Sequence, residues 1–163
     1  MGTPKGRSRP PLVDWVQLAV RFLARHDRTV AQVEQFLASK GASPTQVGQT
    51  VRRLSDFRYL NDQTYARRWV DNRLASRPCG RERLKAELQA KGIAEAVADQ
   101  VMADVFREID EEELAHRALE AAQRRGRRLT SFQTAHFLRR RGFSEETIDR
   151  MIRENDKYEE NCP

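Results

Sequence analysis

KGASPTQVGQTVRRL (residues 40–54), KGIAEAVADQVMADV (91–105) and RGFSEETIDRMIREN (141–155) each open with a cation followed by a glycine. The glycines, Gly41, Gly92 and Gly142, stand 51 and then 50 residues apart. A period of this length marks stacked supersecondary units. Leu37, Leu88 and Leu138 each precede their glycine by four positions, closing an apolar helical pattern. A cation suits the negative end of a helix, and glycine accepts the left-handed conformation that terminates one. The shared phrase is therefore a turn between two helices.

Beyond each glycine a second apolar stripe begins: Val47, Val51 and Leu54, then Val97, Val101 and Val105, then Ile148, Met151 and Ile152, at helical spacings. Ser43 before Pro44 and Ser144 before Glu145 supply N-terminal caps, whereas the middle copy has none comparable. A further helix precedes each pair. Leu12, Trp15, Leu18, Ala19, Phe22 and Leu23 define the first, and Thr29 with Gln32 forms a capping box for the helix after it. Asp62 is the expected cap of the second, which carries Tyr65, Ala66, Trp69, Val70 and Leu74 and stops at Pro78 and Gly80. Leu114, Ala118, Leu119 and Ala122 define the third, ending at Gly126.

The expected fold is all-α: three tandem three-helix repeats forming an elongated, curved molecule, with a compact nine-helix bundle as the alternative. The boundaries are a basic disordered tail at 1–11, repeats at 12–56, 57–108 and 109–155, and a polar tail at 156–163. Units this small bury little core alone, so neighbours must lean on one another.

Composition agrees. The chain has 163 residues, 33% charged, 39% hydrophobic and only 7% aromatic, as suits helices better than a sandwich or barrel. No apolar run reaches the roughly 18 residues of a membrane span, and the basic, proline-broken start is unlike a signal peptide, so a cytosolic protein is expected. The formal net charge of +6 points to a polyanionic partner.

The charge is unevenly placed. Residues 121–144 contain Arg124, Arg125, Arg127, Arg128, Arg139, Arg140 and Arg141 with no acidic residue among them. Their guanidinium groups could fork onto phosphates or carboxylates, or simply complement helix ends. A second set, Arg67, Arg68, Arg73, Arg77, Arg81, Arg83 and Lys85, is interrupted by Asp71 and Glu82, whose i,i+4 pairing would leave an ordinary solvated face. Both sets are candidate partner or DNA contacts. Glu108, Asp110, Glu111, Glu112 and Glu113 read as a solvated helix start that could also meet a basic partner.

Catalytic and metal motifs are missing from the sequence. His26, His116 and His136 are scattered, no glycine-rich loop cradles a phosphate, and Cys79 lacks an evident base despite its basic neighbours. Neither an enzyme nor a cofactor is expected. Trp15, Trp69, Phe22 and Tyr65 fall on apolar stripes and are assigned to the core rather than to base stacking.

RLSDFRYLNDQTYARRWVDNRLASRPCGRERLKAELQAKGI (53–93) resembles the signature region of the bacterial RecX family, through Leu60, Asn61, Asp62, Tyr65, Ala66, Arg73, Gly80 and the LKAELQAKGI ending. AVRFLARHDRTVAQVEQFLASKG (19–41) and FQTAHFLRRRGFSEETIDRMI (132–152) are similar to the family's first and last modules. Residues 29–33 depart from a common serine-glutamate-leucine phrase, and Pro78 with Cys79 replaces a more polar stretch. The resemblance implies three tandem three-helix units. It also implies a regulator that binds the RecA recombinase filament on single-stranded DNA, restrains its ATPase, strand-exchange and co-protease activities, and so modulates recombination, repair and the SOS response; a monomer is expected. Contact with single-stranded or duplex DNA would be weak. From the residues alone, a basic helical DNA-binding module acting on transcription, or an adaptor for another protein, stays open.

Overall fold

A computed structural model of the chain describes residues 13–126 and 129–160. Among the described residues there are nine helices and no strand: α1 (Trp15–Leu23), α2 (Val30–Ser39), α3 (Pro44–Asp56), α4 (Asp62–Ser76), α5 (Arg81–Ala90), α6 (Glu95–Glu108), α7 (Glu111–Gln123), α8 (Ser131–Arg140) and α9 (Glu145–Glu160). The last helix runs past residue 155, where the sequence pattern places the start of a polar tail.

The three cation-glycine turns have one construction. Gly41, Gly92 and Gly142 have φ of +93°, +81° and +74°, a region other residues enter only under strain. Past each, the next N–H reaches back to the leucine four before the glycine: Ala42 to the Leu37 carbonyl at 3.1 Å, Ile93 to Leu88 at 3.1 Å and Phe143 to Leu138 at 3.3 Å. Caps then start the following helices. Ser43 and Gln46 exchange both bonds of a capping box before α3, and Ser144 Oγ accepts from the Thr147 N–H before α9, whereas Ala94 before α6 offers no side-chain cap.

The α4 cap differs from expectation. Asn61, not Asp62, accepts from the Thr64 N–H at 2.9 Å, while Asp62 Oδ1 accepts from the Val30 N–H at 2.9 Å. The preceding asparagine has the extended backbone that a cap requires, and Asp62 is already inside the helix.

Two compact units account for the fold. In the first, α1 packs on α3 over buried Ala19, Val33, Leu37, Leu54 and Leu60. Phe22 and Phe36 stack with centroids 4.0 Å apart, and Arg28 lies over the Phe22 ring. The second unit comprises Thr29–Gln32 and the described residues from Asn61 onward. Its core is continuous across α4–α9: Val70, Leu74, Leu84 and Leu88 join Val101, Val105, Leu114, Leu138, Ile148 and Met151. Each fully buried aliphatic side chain contributes roughly 1.5–3 kcal/mol, so the later two repeats reach through a shared interior what neither achieves alone. Tyr65 and Trp69 pack against this core, with the Lys91 ammonium 5.3 Å from the centre of the Trp69 ring.

Candidate functional site

The acidic run at the start of α7 is spent within the second unit. Asp110 caps α7, Glu108 pairs with Arg67 at 2.7 Å, and Glu112 meets Arg150. Glu111 accepts from Ser144 Oγ at 2.7 Å, Thr147 Oγ1 at 2.9 Å and the Arg81 N–H at 3.1 Å. Burial pushes its carboxyl up, but these donors outweigh burial and hold it below the usual carboxylate range.

A second set of bonds ties the Gly142 turn to the loop before α5. The Gly80 N–H donates to the Arg141 carbonyl at 2.9 Å and the Glu82 N–H to the Gly142 carbonyl at 3.2 Å. Arg83 donates to the Arg140 carbonyl at 3.1 Å, and Arg141 to the Pro78 carbonyl at 3.0 Å. Glycine at 80 and 142 lets the two backbones touch, because a Cβ at either position would overlap the opposite chain.

That contact carries the two arginine sets of the sequence to one place. Arg73, Arg77 and Arg83 from one side and Arg140 and Arg141 from the other line a groove of about 590 Å³, with Pro78, Cys79, Leu129, Phe132, Gln133, His136 and Phe137. Among the described residues no acidic one lines it. α8 supplies Phe132, Gln133, His136, Phe137 and Arg140, positions that recur with the helical period and so share one face.

The five arginines are held differently. Arg73 donates to Glu87 at 3.0 Å and to the Arg77 carbonyl at 2.8 Å, and Arg83 donates to Glu87 at 2.8 Å. Both are positioned by protein acceptors. Arg141 lies over the Phe137 ring at 4.4 Å, and burial, with the positive charges of Arg77, Arg73 and Arg125, lowers its pKa. Arg77 and Arg140 are exposed and have no side-chain partner among the described residues. These two are the groove's open hydrogen-bond forks. At the rim Phe132 is 83% exposed, the most exposed of the large hydrophobic residues described.

The other candidates lie elsewhere. Arg139 pairs with Glu145 at 2.7 Å, Arg124 with Glu120 at 2.9 Å, and Lys85 with Asp99 at 2.7 Å and Glu95 at 3.1 Å. Arg67 bridges Asp71 and Glu108, and Arg81 sits 4.9 Å from the centre of the Phe106 ring. Arg68 and Arg125 are exposed and do not line the groove, and Arg127 and Arg128 lie outside the described residues. Phe132, Gln133 and His136 are groove residues that the arginine pattern does not announce. Their signal was an aromatic face in register with Arg140 on α8.

Cys79 forms part of the groove floor at 1% exposure. Burial raises its thiol pKa, and the lowering by Arg73 does not compensate. The thiol therefore stays protonated, and its basic setting does not activate it. Among the described residues no group of His, Cys, Asp and Glu is placed to hold a metal ion, and no helix is long and apolar enough to cross a membrane. The arrangement presents guanidinium forks beside an exposed ring, a geometry suited to anions.

Residues 16–54 match the model of the first three-helix domain of RecX, and residues 61–102 that of the second. The regulatory protein RecX of Treponema pallidum strain Nichols is 36% identical over 135 residues, which are 83% of this chain and 81% of that protein. This chain belongs to the RecX family. The family's Bacillus subtilis regulatory protein is 31% identical over 147 residues, covering 85% of this chain but 55% of the longer relative. The crystal structure of RecX from Lactobacillus salivarius has the same fold, with a TM-score of 0.76 over 87% of this chain and 94% of that one at 24% identity. A second RecX crystal structure gives a TM-score of 0.72 over 86% and 70% at 22% identity. The all-α fold and its family, both expected from the glycine-marked repeats and the 53–93 signature, are thereby established.

Proposed function

We propose that this RecX-family chain is a cytosolic regulator that binds the RecA recombinase filament on single-stranded DNA and restrains its ATPase, strand-exchange and co-protease activities. It acts without chemistry of its own, by occupying the filament. Family membership supports the partner. The observation that carries the contact is the groove, where, among the described residues, five arginines converge with no lining carboxylate. Cations concentrated in a cleft attract a polyanionic assembly and speed encounter, and their effect weakens with salt.

The test is fluorescence anisotropy of labelled protein titrated with recombinase alone, bare single-stranded DNA, duplex DNA and the preassembled filament at about 0.15 M salt, where exposed charges more than about 8 Å apart are largely screened. Selective binding to the filament, with inhibition of its ATP hydrolysis over the same concentration range, is the expected result. An Arg77→Ala, Arg140→Ala double variant should need roughly tenfold more protein for half inhibition, the scale of one lost charged hydrogen bond. No preference for the filament over bare DNA, or no inhibition at saturation, would overturn the assignment.

A further inference from the structure

We infer that the groove between the Pro78 loop and α8 is a track for single-stranded nucleic acid, in which Phe132 stacks an unpaired base while Arg77 and Arg140 take the flanking phosphates. This deepens the proposed function by placing the strand itself, rather than the recombinase, in the groove. It needs no recombinase to be tested.

The choice between polyanions turns on the ring. Guanidinium forks serve carboxylates and phosphates alike, so the arginines alone would admit an acidic peptide equally well. Phe132 adds what a run of carboxylates does not use: a flat apolar surface, 83% exposed. It takes part in none of the stacked or cation–ring contacts among the described residues, whereas the Phe137 ring below is already covered by Arg141 at 4.4 Å. His136, one turn along α8, lines the same groove with the Gln133 amide. An aromatic platform beside cations is the arrangement that holds single strands, since each base presents a π-face and each linkage one negative charge. A duplex conceals its base faces within the stack, which makes the ring useless to it.

The remaining groove groups limit where charge is taken. Arg73 and Arg83 already share Glu87, and Arg141 is engaged by the Pro78 carbonyl, so they shape the wall. The open forks are Arg77 on one side and Arg140 on the other, which places phosphate contacts across the groove rather than along one helix.

Fluorescein-labelled dT12 tests the inference by anisotropy across a salt series, beside an abasic oligonucleotide of equal length, a dT12·dA12 duplex and a twelve-residue polyglutamate peptide. The expected order is dT12 well above the other three. Phe132→Ala should weaken dT12 binding roughly tenfold, in the range of one lost base stack, and leave the salt slope unchanged. Phe132→Trp should retain the affinity. Arg77→Ala with Arg140→Ala should weaken binding and lower the slope by about 1.4, near 0.7 for each single-strand phosphate contact. Because Phe132 is exposed, its replacement should leave the melting curve in place, so a binding change reports the ring. Equal binding of the abasic strand with indifference to Phe132→Ala reduces the groove to a nonspecific charged patch and overturns the inference. So does binding of polyglutamate as tight as that of dT12, which would assign the groove to an acidic protein segment. Filament binding that persists while dT12 fails would overturn the strand assignment and leave the regulatory role standing.

Discussion

Gly80 and Gly142 touch backbone to backbone: the Cβ that any other residue would bring to position 80 falls on the Gly142 carbonyl. The neighbouring Gly80 N–H donates to Arg141 at 2.9 Å, so this close approach is what aligns the two walls of the groove. Replacing Gly80 by alanine must push the turns apart. A loss of about 2–4 kcal/mol is expected, as for other overpacked sites, measured by urea denaturation. Gly48→Ala, on an exposed helical position with open space around it, should instead be neutral or stabilising by up to about 1 kcal/mol.

Glu111 makes the second unit acid-sensitive. Its folded pKa lies below the ordinary carboxylate value, so in acid the unfolded chain takes up its proton first. The stabilisation is present above the unfolded pKa and fades as pH falls through the folded one, from about pH 5 downward. Glu111→Gln should be less stable than the parent at pH 7, with the gap narrowing towards pH 3. Melting temperatures of both proteins across that range check this, and a constant gap would count against the ionised network.

Two arginines of the same groove should separate cleanly. Arg73 is mostly buried and serves both Glu87 and the Arg77 carbonyl, so Arg73→Ala leaves that carbonyl without its side-chain donor and Glu87 with Arg83 alone. About 1–2 kcal/mol should be lost in denaturant titration. Arg77→Ala should change stability by no more than about 0.5 kcal/mol, since its exposed side chain has no partner among the described residues.

Thr29 is fully buried, and its hydroxyl donates to the Lys91 carbonyl at 2.8 Å while accepting from the Gln32 N–H at 3.2 Å. Thr29→Val keeps the shape and removes both bonds. A loss of about 1–2 kcal/mol is expected, whereas Thr29→Ser should keep most of the stability, as read from thermal unfolding.

The sequence by itself determined the helices and their ends. A capping box joins residues three positions apart, and a left-handed glycine turn closes bonds five positions apart, so Ser43 with Gln46, Thr29 with Gln32 and the turns at Gly41, Gly92 and Gly142 were all legible. Asn61 displaced Asp62 as the α4 cap because neighbouring polar residues compete for one role, and only the backbone settles which is extended. The groove was written nowhere in the local pattern. Arg77 and Arg140 lie more than sixty residues apart, and Arg139, adjacent to Arg140, turns instead to Glu145. Whether a cation meets a ligand or a carboxylate depends on which helix face is buried and on how closely two turns approach. Those are properties of packing, decided here by two glycines whose contact no sequence period records.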